Sequence, residues 1–352
     1  MHVLLTGGAG FIGQHTLAVL LERGHAVRVM DSLRADVHHG KPWAPPAGVE
    51  LQIADVRDAA ACDRALTGVD AVIHLAAKVG LGVDVQDLPD YASSNDVGAA
   101  MLFAAMARAC IGRLTLASSM VVYGEGLALC PQHGLVPPAP RLEASLAAGD
   151  FEPPCPHCGQ RLTAQLVAEN TPFDPRNAYA SSKVAQEFYA QNWSRVTGGS
   201  AAMMRYHNVY GPGMPRDTPY AGVAAIFTSA LRRGEAPRVF EDGGQRRDFI
   251  HVRDIPAATV DACEQHRAGV AAFNVGSGTP RTVGQMAQAL ATALAGPAPV
   301  VTGGYRLGDV RHITADSRHL REALGWAPRI AFEDGMRELA HAPADLRSLG
   351  LS

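Results

Sequence analysis

The stretch Met1-His-Val-Leu-Leu-Thr-Gly-Gly-Ala-Gly-Phe-Ile-Gly13 decides how the rest of the chain is read. Its first six residues are a short apolar run with β-branched content, and the glycine turn after them opens into a helical pattern that continues to Arg23. Strand, glycine turn and helix N-terminus in this order make an anion site, because free backbone N–H groups and the positive helix end converge where a pyrophosphate can sit. Gly7 permits the tight turn, Gly10 lets the backbone approach phosphate, and Gly13 removes a side chain where helix and strand must pack closely. The glycines stand as G-x-x-G-x-x-G, not G-x-G-x-x-G, so the strands and acidic residues beyond Gly13 must support the same reading.

Residues 25–30 read as a second strand, closed by Asp31 about 20 residues beyond the glycine turn, where a carboxylate accepts hydrogen bonds from the ribose hydroxyls of a bound dinucleotide. A 2′-phosphate would meet a like charge at Asp31, which favours NAD over NADP; Arg34, three residues on, softens that preference. Residues 50–54 form a third strand, followed by Asp55-Val-Arg-Asp58, where Asp55 either reaches the adenine amino group or caps the next helix. Residues 71–75 form a fourth strand, buried on both faces by its apolar run, and the small residues after it, Ala76 and Ala77, let backbone lie along a cofactor. His74 in that strand reads as a packed residue. Asn95, early in a helical stretch over 91–110, is placed to hold a loop or the cofactor. Residues 113–117 form a fifth strand that delivers Ser118, Ser119 and Tyr123 to its C-terminal end, where doubly wound sheets bind their ligands. Strands alternating with helices in this way imply a doubly wound parallel α/β sheet of Rossmann type.

Composition sets the outer limits. With 352 residues, 47% hydrophobic and 18% charged, the chain reads as an ordinary globular protein long enough for a large core and a second lobe. Lys+Arg 31 against Asp+Glu 34 leaves no basic excess for nucleic acid. A first strand at residue 2 leaves no room for a signal peptide, and no apolar run approaches the roughly 20 residues of a membrane span, so a cytoplasmic protein is expected.

Tyr179 and Lys183 stand four residues apart at the start of another helix, hence on one face. An ammonium beside a phenol lowers its pKa toward the range of a general base. Together with Thr6-Gly-Gly-Ala-Gly-Phe-Ile-Gly13, Asp31, Asp55, His74-Leu-Ala-Ala77 and Ser119 four residues before Tyr123, this pair resembles the extended short-chain dehydrogenase/reductase family of NAD-dependent nucleotide-sugar epimerases and dehydratases. Arg205-Tyr-His-Asn208, Arg247-Asp-Phe-Ile-His-Val252, Phe273-Asn-Val-Gly-Ser277 and Arg306-Leu-Gly-Asp309 are similar to its later motifs.

The resemblance implies a catalytic trio of Ser119, Tyr179 and Lys183. It implies a cofactor set of Gly7, Gly10, Phe11, Ile12, Gly13, Asp31, Asp55, Val56, Leu75, Ala76, Ala77 and Asn95, together with Tyr179 and Lys183. It further implies a diphosphate site from Asn208, Arg247 and Arg306, with Asp309 near the nucleoside ribose and Tyr220 in a loop over the sugar. Guanidinium forks suit phosphate better than ammonium groups do. The expected organisation is a NAD-binding domain over 1–205, with an insertion at 127–169, and a smaller C-terminal α/β substrate lobe over 206–352. The helices at 91–110 and 179–195 resemble the pair through which family members form homodimers.

The reaction narrows further on two residues. In family dehydratases an Asp–Glu pair follows the active-site Ser or Thr; here those positions are Met120 and Val121, which carry no proton. The expectation is a 4-epimerase of a dTDP- or UDP-linked sugar with tightly held NAD. The alternatives are a 4-ketoreductase, which would favour NADPH; a UDP-glucuronate decarboxylase or epimerase, with Arg216 or Arg281 meeting the sugar carboxylate; and a non-enzymatic nucleotide sensor.

Tyr179 stands 56 residues beyond Tyr123, about 35 more than such a connection needs. The segment carries Cys130-Pro-Gln-His133 and Cys155-Pro-His-Cys158, two knuckles with the spacing of a closed, structural zinc site, with His157 competing with His133 as the fourth ligand. A similar cysteine-bearing insertion marks members of the dTDP-L-rhamnose 4-epimerase type. Cys62, Cys110 and Cys263 read as core.

Overall fold

The computed structural model describes residues 1–38, 43–80, 84–215, 222–265 and 268–343. The short apolar run that opens the chain builds the centre of the molecule. Strand β1 (His2–Thr6) sends Val3 and Leu5 to one face and Leu4 to the other, all inaccessible to solvent. It pairs in parallel with β2 (Ala26–Asp31) on one side and β4 (Ala71–His74) on the other. With β3 (Glu50–Ile53), β5 (Arg113–Ser119), β6 (Ser200–Tyr206) and β7 (Val270–Val275) the sheet runs β7-β6-β5-β4-β1-β2-β3, all parallel. The strand order reverses between β1 and β4, the place where a doubly wound sheet opens its ligand crevice.

Both faces are covered, which is why β4 is buried along its whole length. On one face, helices α2 (Gly98–Arg108) and α3 (Ala178–Thr197) seal Leu4, Val72, Leu114 and Leu116 with Leu102, Phe103 and Trp193. On the other, α1 (Phe11–Glu22) and α4 (Ile255–Glu264) cover Val3, Leu5 and Ile73 with Leu17, Leu20 and Val260. The expected helix over 91–110 is a composite: a turn at Leu88–Tyr91, a π-helical stretch at Ala92–Val97, then α2. Cys62 and Cys263 are core as read, but Cys110 is exposed, sitting past the end of α2 at φ 56°.

The expected break at 205/206 does not divide the chain cleanly. α4 and β7, both beyond it, belong to the large sheet: β7 extends the sheet beside β6, and α4 packs on α1. The second lobe gathers helices Val223–Arg232, Val283–Ala293 and Phe332–His341 around Phe227, Leu231, Met286, Leu290 and Leu339. Its short strands include Arg246–Arg247, flanked by Arg281–Thr282 and His312–Ile313. The insertion is a small unit with its own antiparallel strands, Ala128–Cys130, Gly134–Val136 and Thr163–Ala164. Among the described residues no helix is long and apolar enough to cross a membrane.

Candidate active site

The glycine turn has the geometry its residues suggested. Gly7 adopts φ +72° and lies so close to the strand behind it that a Cβ would stand 2.7 Å from the Ala76 nitrogen. A Cβ on Gly13 would fall 2.1 Å from the Gly7 carbonyl, so only glycine lets α1 begin here. Gly10, the N-cap of α1, offers no side-chain hydrogen bond, and the first turn holds no acidic residue. The Phe11 and Ile12 end of the helix therefore keeps its positive field for an anion.

Asp31, expected to face a ribose, is buried at the end of β2. Its Oδ2 accepts from the Ala9 N–H at 3.1 Å and its Oδ1 from the Leu33 N–H at 3.0 Å, tying the glycine turn to β2. Arg34, the residue that blurred the NAD preference, is occupied elsewhere: it forks onto Asp90 at 3.1 and 3.2 Å and onto Asp36 at 2.9 and 3.0 Å. Asp55 does not cap the following helix; Asp58 does, accepting from Ala60 and Ala61. Hydrogen bonds from Arg57 hold the Asp55 carboxyl below its usual range, so it stays an acceptor beside Val56. Leu75 and Ala76 continue from β4 with their N–H groups on the Thr6 carbonyl and hydroxyl. Asn95, fully buried in the π-helical stretch, clamps the Lys78 backbone through both amide atoms and donates to the Ser182 hydroxyl. It is a loop holder that joins the end of β4, past Ala77, to α3. His74 is the packed residue expected, its Nδ1 2.7 Å from the Thr6 hydroxyl.

Ser119 ends β5, and α3 brings Tyr179 and Lys183 against it. Asn177 caps α3 through the Ala180 N–H, placing Tyr179 in the first turn and Lys183 one turn further along the same face. Tyr179 is half-buried beside Ser119; burial pushes its phenol up to about 12, and the Ser119 hydroxyl opposes that. The Lys183 ammonium lies 5.8 Å from the centre of the Tyr179 ring and donates to the Ala117 carbonyl at 2.8 Å and to Gln186 at 2.9 Å. Burial pushes it down to about 7, against the pull of Glu187 and Asp96. Two buried groups near this trio escaped the sequence reading. Asp96 has a buried Oδ1 with no partner among the described residues, and burial raises its carboxyl to about 6. Glu187 forks onto Arg205 at 2.7 and 2.9 Å while accepting from Ser118 at 2.5 Å, and Arg205 goes on to Tyr123 at 2.6 Å. That pair pins α3 to β5 and β6 directly under the trio.

On the substrate side, Asn208 presents a buried Oδ1 with no partner among the described residues. Arg247 is committed to backbone: its Nη atoms donate to the carbonyls of Arg246, Val310 and Arg311 at 2.6–3.0 Å. Arg306 is exposed, stacked 5.3 Å over the Phe240 ring. Burial raises the Asp309 carboxyl, opposed by Arg247, Arg306 and Arg141. Tyr220, Arg216 and the rest of the loop expected over the sugar lie outside the described residues. Arg281, the other candidate cation for a sugar carboxylate, reaches Glu333 at 3.2 Å and stacks on Phe332.

In the insertion, the side chains of Cys130, His133, Cys155 and Cys158 converge, with ligand atoms all within 4.8 Å of one another. Cys130 Sγ stands 3.5 Å from His133 Nδ1 and 3.6 Å from Cys158 Sγ, and Cys155 Sγ is 3.6 Å from His133 Nδ1. A tetrahedron with Zn–S of about 2.3 Å and Zn–N of about 2.0 Å has edges of about 3.5 to 3.8 Å, so the donor set fits zinc. His133, not His157, completes the group.

Comparison with known proteins agrees with this geometry. Residues 3–143 and 158–276 match the model of the NAD dependent epimerase/dehydratase family, and the matched stretches leave out 144–157 inside the insertion. A dTDP-L-rhamnose 4-epimerase of Burkholderia thailandensis is 34% identical, over 96% of this chain and 93% of its own length. A UDP-glucose 4-epimerase of Mycolicibacterium smegmatis is 31% identical, over 96% of each. Among solved structures, the UDP-glucose 4-epimerase of Thermus thermophilus in complex with NAD superposes with a TM-score of 0.77 at 30% identity, covering 97% of this chain and 98% of that one.

Proposed function

This chain belongs to the NAD dependent epimerase/dehydratase family, and on that premise we propose that it is an NAD-dependent 4-epimerase of a dTDP- or UDP-linked sugar. The observation that carries the reading is the placement of Tyr179 beside Ser119 at the C-terminal end of β5, with Lys183 one helical turn along and Met120 and Val121 where a dehydratase needs proton carriers. NAD bound on the glycine turn would supply the acceptor and later the donor of a hydride at sugar C4. Tyr179 takes the proton from O4 and returns it after the other face of C4 is presented. Ser119 holds the oxygen while it is a carbonyl. Lys183 in its protonated form, helped by the positive charge of an oxidised nicotinamide, would bring a phenol, held at about 12 by burial, toward the working range. Asp31 and the occupied Arg34 support NAD over NADP, and hence a cofactor that stays bound over one that is exchanged by a reductase.

Asn208, Arg247 and Arg306 would hold the diphosphate, with Asp309 toward the ribose. The donor set in the insertion supports a structural zinc on Cys130, His133, Cys155 and Cys158, with no open position for chemistry. The α2–α3 face supports a homodimer.

Purified protein should release about one NAD per chain on denaturation, and the native protein should convert one UDP- or dTDP-sugar to its C4 epimer without added cofactor. Tyr179→Phe should cut turnover by at least a hundredfold while NAD remains bound. Unchanged turnover, or product formed only in proportion to added NAD(P)H, would overturn the assignment.

A further inference from the structure

The insertion is more than an appended knuckle, because its charged residues end on the segment 306–312, which carries two of the proposed substrate contacts. Arg141 donates to the Asp309 carbonyl at 2.6 Å and pairs with Glu241 at 2.8 Å. Glu152 accepts from Arg311 Nε and Nη2 at 3.0 and 2.7 Å and stands 2.9 Å from His312 Nε2. Arg311 is 2% exposed and also bridges Glu241 and Asp242 of the substrate lobe, each at 2.8 Å. The backbone that these contacts fix is the backbone to which Arg247 is anchored, through the carbonyls of Val310 and Arg311. Against the opposing effect of burial, His312 and Arg311 hold the Glu152 carboxyl down to about 2, so it is an anion throughout the working range.

Building on the diphosphate site proposed above, we infer that Arg141 and Glu152 are positioning residues for the nucleoside diphosphate. They lock the 306–312 segment, and through it the guanidinium of Arg247, in the place where the phosphates are met. A buried cation with several anionic partners holds its shape only while those partners stay. Losing Glu152 leaves Arg311 paired with Glu241 and Asp242, so the lobe keeps its fold while the insertion is unhooked from it.

The test uses the full-length protein with its metal and NAD in place, and compares wild type with Glu152→Ala, Glu152→Gln and, as a control in the same insertion, Arg161→Ala. Arg161 is exposed and, among the described residues, its side chain pairs only within the insertion, with Asp150 at 2.9 Å. Calorimetric titration with UDP and dTDP is read beside KM, kcat and NAD content. Glu152→Ala should weaken binding of the preferred diphosphate and raise KM by about tenfold, with kcat and NAD content within about twofold. Glu152→Gln should recover part of the loss, since its amide oxygen still accepts from Arg311. Arg161→Ala should match wild type. Unchanged affinity in Glu152→Ala, or a fall in kcat and NAD content that parallels the rise in KM, overturns the positioning role alone. Failure of wild type to bind either diphosphate overturns both this role and the site on which it rests.

Discussion

At the scale of single residues, the site depends on how burial treats its titratable groups, and His74 shows the sign most simply. It is 1% exposed in β4, bonded to Thr6 and edge-on to Phe103, and burial, helped by the nearby Lys183, pushes its imidazole down to about 3. Between pH 6.5 and 3 the unfolded chain binds a proton that the folded chain excludes. Stability therefore falls as pH drops through that window, and this residue contributes no slope above it. At pH 4.5 the loss from His74 alone is about 2 to 3 kcal/mol. Urea midpoints of wild type and His74→Val at pH 7.5 and 4.5 should show the variant losing less on acidification by roughly that amount. Equal losses would mean that His74 is protonated inside the fold. The Thr6 hydroxyl keeps a partner in the variant, because it also accepts from the Ala76 N–H, so the comparison isolates the proton.

At the scale of elements, the contrast is between what local pattern dictates and what distant partners decide. The apolar run of β1, the left-handed Gly7 and the cap Asn177 act within a few residues of themselves, so strands, glycine turn and the Tyr179/Lys183 face were legible in the sequence. The Glu187–Arg205 pair spans 18 residues and Glu152–Arg311 spans 159. Nothing near Arg311 marks it as buried, since an arginine beside aspartates reads as a solvated surface group until the fold brings the insertion over it. For the same reason Arg247 read as a free fork although three of its five N–H groups go to carbonyls, and Asp55 read as a possible cap although Asp58 stands three residues later. The C-x-x-H and C-x-x-C knuckles were legible because each is local; only the fold brings them to within ligand distance. If zinc holds them, chelation under mild denaturant should release about one zinc per chain. Limited proteolysis should then open new cleavages within 127–169 while NAD stays bound to the sheet. Release of NAD together with the metal would show that the insertion and the Rossmann sheet unfold as one unit.

At the scale of the molecule, the helices that complete the site also carry a group of exposed apolar side chains. Along α3, Lys183, Gln186 and Glu187 turn inward to the trio and its support. One helical step away, Phe188, Tyr189 and Val196 are 52%, 42% and 77% exposed; beside them on α2 and its π-helical approach, Met101 is 37% and Val97 44% exposed. Large apolar side chains gathered on two neighbouring helices are what a second copy of the same surface would cover, and a twofold pairing of two such helix pairs is self-complementary. A charge placed there must be desolvated on association and faces its own copy across the axis. The doubly substituted Met101→Glu/Phe188→Glu protein should therefore sediment as a monomer where wild type sediments as a dimer. NAD content should be unchanged, because the glycine turn, Asp31 and the Asn95 clamp all lie within one chain. A wild-type monomer would overturn the dimer itself, and a variant that still sediments as a dimer would place the association surface elsewhere. Loss of NAD on dissociation would instead mean that α3 needs its neighbour to hold Tyr179 and Lys183 in place.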